Sequence, residues 1–98
     1  MKLMTKELEK RFATVGSQEG KGDDTLIIAK YFTPDSNWTW FATEYDPVNR
    51  IFFGLVHGFE KEWGDFSLDE METAKGPLGL GVERDLYFGE KKIGEVKG

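Results

Sequence analysis

The sequence contains no cysteine, which excludes a disulfide framework, a thiolate metal site and a thiol nucleophile. Histidine occurs once, as His57, so no two imidazoles can share a metal and no serine, histidine and aspartate arrangement is signalled. No apolar run approaches the roughly 18 residues needed to span a bilayer. The opening Met1-Lys-Leu-Met-Thr-Lys-Glu lacks the apolar centre of a signal peptide. The expectation is a soluble, cytoplasmic protein with no membrane contact. Positive charge is scarce as well: 13 Lys and Arg face 18 Asp and Glu, a formal net charge of −5. Nucleic acid is held largely through phosphate contacts and counterion release, so an acidic chain without a basic stripe is not expected to bind it directly.

What is present is aromatic. Eleven of the 14 aromatic residues lie between Tyr31 and Phe66. Aromatic side chains carry the largest apolar areas, so this stretch must hold most of the core of a 98-residue chain, with any surplus at the surface. The chain reads as one α+β domain over residues 1–98. Thr5 is placed to cap a short N-terminal helix in which Met4, Leu8 and Phe12 form a narrow apolar stripe. Gly16-Ser-Gln-Glu-Gly-Lys-Gly-Asp-Asp24 has the composition of a flexible loop, and it lacks the Gly-Lys-Ser/Thr ending of a phosphate cradle.

Thr25–Phe32 is near-continuously apolar, as a central strand covered on both faces would be. Trp38 to Tyr45 alternates, with Trp38, Trp40, Ala42 and Glu44 on one face and Thr39, Phe41, Thr43 and Tyr45 on the other. Asp46-Pro-Val-Asn-Arg50 is turn chemistry in which Asn49 tolerates a left-handed backbone. Ile51–His57 returns, Gly54 allowing a bulge or close approach, and Glu60–Phe66 adds a further arm. Ser67-Leu-Asp-Glu70 is a capping box for a second short helix near residues 68–74, ended by Gly76-Pro77. Val82–Phe88 alternates as a last strand, and the polar tail 90–98 is expected to fray. The expected architecture is helix, an antiparallel meander of three to five strands, helix and strand.

The runs Phe32-Thr-Pro-Asp-Ser-Asn-Trp-Thr-Trp40, Glu44-Tyr-Asp46, Phe52-Phe-Gly-Leu-Val-His-Gly-Phe-Glu60, Glu62-Trp-Gly-Asp-Phe-Ser-Leu-Asp-Glu70, Gly76-Pro-Leu-Gly-Leu80 and Glu83-Arg-Asp-Leu-Tyr-Phe88 resemble the bacterial domain of unknown function 2958. The resemblance covers nearly the whole chain. It implies no established activity. It does imply the setting of plasmids, integrative elements and prophages, often beside antirestriction-type domains, and so a role in element maintenance or evasion of host defence. Asp65 departs from the pattern, in which a tyrosine is expected.

Two chemistries compete for the charged residues. Glu44, Asp46, Glu62 and Asp85 could together hold a hard cation for phosphodiester hydrolysis, the arrangement of a small metal-dependent nuclease or hydrolase. Against that, Asp46 suits a turn, and Glu60 and Glu62 suit a solvated hairpin. His57 reads as a strand-end histidine with a hydrogen-bonded ring. Arg84, flanked by Glu83 and Asp85, is expected to enter the inner side of the sheet and pair with Glu44 or Glu62. Phe41, Phe52, Phe53 and Phe66 read as core. Three tryptophans are more than such a core buries fully, so Trp38, Trp40 and Trp63, interleaved with Glu44 and Glu62, mark the expected binding face together with Arg84. The primary reading is a binding protein that engages a protein partner as a monomer or weak homodimer, with no cofactor.

Overall fold

The β-branched and aromatic segments pair where the turns between them permit. The computed structural model describes residues 1–97. Thr5 caps α1 (Lys6–Val15), its hydroxyl accepting the Leu8 N–H at 3.1 Å, which satisfies one of the amides that a helix start leaves open. Phe12 is buried on the inward side, with Met4 and Leu8 packed beside the core as their spacing predicts. A short 3₁₀ turn at Gly22–Asp24 leads into β1 (Leu26–Ile27), β2 (Ala29–Phe32), β3 (Thr39–Asp46), β4 (Ile51–His57) and β5 (Lys61–Ser67). These are followed by α2 (Leu68–Thr73), β6 (Glu83–Arg84), β7 (Lys91–Lys92) and α3 (Ile93–Val96).

The main sheet has five strands in the order β5-β4-β3-β2-β6, all neighbours antiparallel, and β1 pairs separately with β7. This is the α+β meander expected. Asp46 closes the β3–β4 turn by accepting the Val48 and Asn49 N–H groups at 2.9 and 3.3 Å. The left-handed residue of that turn is Arg50 (φ 57°), not Asn49. Its guanidinium is held by Asp69 and Glu72 at 2.7 and 2.8 Å. Ser67 ends β5 and caps α2, accepting the Glu70 N–H at 3.2 Å.

Cross-strand partners share a face, so register decides which side chains meet. The alternation expected of β3 holds as far as Ala42 and then reverses. Ala42 pairs with Gly54 but Glu44 pairs with Phe53, leaving Thr43 as a bulge whose hydroxyl donates to the Phe53 carbonyl at 3.1 Å. Glu44 therefore joins the face of Phe41, and Tyr45 joins that of Trp40. Gly54 is required at this point, because a Cβ there would overlap the Phe41 carbonyl oxygen.

On the Tyr45 face, Phe52 is surrounded by Phe12, Tyr31, Tyr45 and Phe66. Together with Leu3 and Ile28, and with Leu68 and Met71 from α2, these make the larger core. The Tyr31 hydroxyl donates to the Leu3 carbonyl at 2.7 Å, and burial pushes its pKa up. The opposite face carries a smaller core of Ile27, Phe41, Leu55 and Ile93.

Four expectations are corrected. Thr25–Phe32 is two strands rather than one: Ile27 enters the smaller core and Ile28 the larger, which is why the run is near-continuously apolar. The last strand contracts to Glu83–Arg84, extended by the Asp85 N–H donating to Lys30 at 2.9 Å. Within the described residues the tail forms β7 and α3 rather than fraying. Ile93 is buried and its N–H donates to the Thr25 carbonyl at 2.9 Å, because the smaller core needs an apolar side chain there. Residues 16–24 are more than a polar loop, since Gln18 is buried. Its amide nitrogen donates to the carbonyls of Leu26 and Thr43 at 2.9 and 2.8 Å, and its oxygen accepts the Leu26 N–H at 2.7 Å.

Candidate functional site

Each face of the sheet leaves one aromatic stack uncovered. On the Trp40 face, the turn after β2 delivers Trp38 onto Trp40 with ring centroids 6.0 Å apart and planes 26° apart. Phe59, in the β4–β5 turn, meets Trp38 edge-on at 5.7 Å and 80°. The Trp38 ring lies directly over Gly58, where any Cβ would overlap it. Trp40 anchors the stack by packing against the larger core. Outward from that anchor exposure rises steeply: Trp38 is 36% exposed and Phe59 96%. Trp38, Phe59, Val56, Glu60 and Glu62 line a shallow groove of about 260 Å³. Glu60 and Glu62 give its rim negative charge.

On the opposite face, Phe53 and Trp63 stack at 5.7 Å with planes 17° apart, and are 38% and 47% exposed. Gln18, Gly20, Thr43 and Glu44 complete a groove of about 300 Å³ around them. Asp65 stands directly across from Phe53 on β5. Glu44 accepts the Gln18 N–H at 3.1 Å, which fixes its carboxylate beside the rim of the stack.

Residues 3–94, nearly the whole chain, match a family model described as Protein of unknown function (DUF2958). The chain belongs to this DUF2958 family. No curated protein and no solved structure matches it. Both stacks lie inside the span matched to DUF2958, and the family description names no reaction.

The structure sorts the expected site residues of this DUF2958 chain into separate groups. Trp38, Trp40 and Glu62 come together: Trp40 pairs across β4 with Val56, and Val56 with Glu62. Trp63 and Glu44 meet on the other face, because Trp63 pairs with Leu55 and the bulge turns Glu44 toward Phe53. Arg84 does not reach Glu44 or Glu62. It lies on β6 at the far edge from β5, paired with Tyr31, and its Nε sits 3.5 Å from the Lys2 carbonyl. The alternative metal set is dispersed likewise. Glu44 and Asp46 do share a face, but Glu62 is on the opposite one, and Asp85 is paired with Lys30 at 3.5 Å. Asp46 is engaged by Asn49, whose side chain and backbone hydrogen bonds hold its carboxyl below the usual range. Among the described residues no three His, Asp or Glu side chains are grouped to hold a metal ion.

His57 lies edge-on to Phe41 at 5.0 Å. Its Nε2 is buried and finds no hydrogen-bond partner among the described residues, contrary to the hydrogen-bonded ring expected. Burial, and then the charge of Lys61, push its pKa down. Sequence reasoning missed Phe59 and placed Phe53 in the core. Phe59 carried a signal, since an apolar residue after Gly58 in a hairpin turn has no strand face to join. Phe53 carried none, because its exposure depends on how far the elements over its face extend.

Proposed function

We propose that this domain acts by binding a protein partner through the Trp38, Trp40 and Phe59 cluster. In the mobile-element setting that the family resemblance implies, an antirestriction or related anti-defence role follows as the proposed biology. The observation that carries the reading is that Phe59 stands 96% exposed while held edge-on against a tryptophan stack rooted in the core. Exposed aromatic side chains set beside a packed tryptophan are the kind of anchor that dominates interface energies. Glu60 and Glu62 beside it favour a basic partner surface, which complementary charge steers into place.

The test is affinity capture from host lysate followed by titration of the captured protein. A partner held by the wild type is expected to be lost by Phe59→Ala and by Trp38→Ala, with affinity falling by about 30-fold or more, as for a hot-spot residue. The far-UV spectrum of Phe59→Ala should be unchanged. If wild type and both variants retain the same proteins with equal affinity, the cluster is not the binding surface.

A further inference from the structure

We infer that the outer edge of β5 accepts an extended, basic segment of a partner protein, which adds to the sheet as a further strand. Among the described residues β5 has β4 as its single strand neighbour. In an antiparallel pair, every second residue of such a strand directs both its N–H and its C=O away from the neighbour. Sheet edges are ordinarily blunted by shortness, proline, a bulge or lysines. β5 runs for seven residues, Lys61-Glu-Trp-Gly-Asp-Phe-Ser67, without proline and with its one lysine at the first position. It pairs with β4 in unbroken register from Ile51↔Ser67 to His57↔Lys61. Length and unbroken register therefore leave this edge open to pairing.

Charge selects the occupant. Glu62 and Asp65 lie on β5 against one cation, Lys61, and Glu60 immediately precedes it, on a chain whose formal net charge is −5. A second copy would bring a chain of the same net negative charge to this edge, whereas a basic segment finds opposite charge. The two faces of the edge suit such a segment in complementary ways. Lys61, Trp63 and Asp65 share one face, and there the Phe53 and Trp63 stack provides an aromatic floor for lysine stems or guanidinium planes beside the Asp65 carboxylate. Glu62, Gly64 and Phe66 share the other. A Cβ at Gly64 would meet nothing within 4 Å, so a partner side chain has room next to Glu62. A strand whose cations alternate with apolar residues presents them all on one face, and whichever face that is holds a carboxylate, Asp65 on one side or Glu62 on the other. Backbone pairing supplies the affinity of this mode, and the alternating side chains supply its selectivity.

This inference goes beyond the Trp38 cluster and stands without it. The experiment is an amide-shift titration of the ¹⁵N-labelled chain with a short, end-capped peptide of alternating lysine and valine, matched in length to β5. Shifts are expected to concentrate at residues 61–67 and to weaken with added salt. Glu62→Lys combined with Asp65→Lys should lower affinity for this peptide at least tenfold and create affinity for the mirror peptide of glutamate and valine. That exchange of preference cannot come from lost stability. Trp63→Ala, a milder variant, should weaken the lysine peptide several-fold, and Trp38→Ala should leave the titration unchanged, which separates this site from the one proposed above. Absence of binding at the highest soluble peptide concentration overturns the proposal. So do shifts centred elsewhere, indifference to the charge reversal, or a wild-type dimer that the reversal abolishes.

Discussion

Phe52 and Phe53 are consecutive on β4 and chemically identical, yet Phe52 is fully buried among four other aromatic rings while Phe53 stands 38% exposed against Trp63. Period-two geometry sends them to opposite faces, and each face is then finished by different parts of the chain. One receives α1 through Phe12 and α2 through Leu68 and Met71. The other receives Ile27 and Ile93 from the minor sheet and α3, which cover Phe41 and Leu55 but leave Phe53 and Trp63 open. Apolar character alone does not make a core residue in this chain. Coverage does, and it runs out one strand position away from Leu55.

This contrast can be probed by mutation. Phe52→Ala should lower stability by about 3–5 kcal/mol, the usual range for a buried phenylalanine, whereas Phe53→Ala should lower it by about 1 kcal/mol or less. Urea unfolding of both variants decides, and equal losses would mean that the two faces are covered alike. A smaller effect is expected at the rim of the open face. Gln18→Ala leaves the Leu26 N–H and the carbonyls of Leu26 and Thr43 without the partner that now joins them, a loss of about 1–3 kcal/mol by the same measurement. A midpoint unchanged from wild type would show that the loop is held by something other than this side chain.

The mildest effect concerns His57 and pH. Its folded pKa lies below the ordinary 6.5, so the unfolded chain takes up the proton first as pH falls. Its contribution is therefore fully present above 6.5 and is lost as pH drops through the folded pKa. Unfolding free energies at about pH 7.5 and about pH 5.5 should differ more for wild type than for His57→Phe, by the protons that this ring no longer excludes. Parallel pH profiles would assign the acid sensitivity to other groups.

Local features were legible in the sequence because their partners lie within a few residues. Thr5 and Ser67 cap helices by reaching three residues ahead, and Asp46 closes its own turn. Trp38 stacks on Trp40 as their two-residue spacing suggests, although β3 itself begins only at Thr39. What could not be read depends on register or on distant segments. Nothing in Ala42-Thr-Glu44 announces a bulge, yet that one inserted residue decides the face of Glu44 and Tyr45. Trp63 was expected beside the other tryptophans, but pairing with Leu55 sets it on the opposite side. Gln18 is one polar residue in a glycine-rich run, and its burial is caused by a strand that begins at Thr39. Arg84 pairs with Tyr31 on β2, and strand order places it at the wrong edge to meet Glu62.

The pairing of β1 with β7 has a consequence for how the chain is made. Leu26 and Ile27 find Lys92 and Lys91 as partners, and Ile93 fills the smaller core, so that face stays unfinished until those residues leave the ribosome. The β3–β4–β5 meander needs only neighbouring hairpins and can form well before. A meander formed first would leave Phe41 and Leu55 exposed during synthesis, a window in which a chaperone or another nascent chain could engage a surface that the finished molecule conceals.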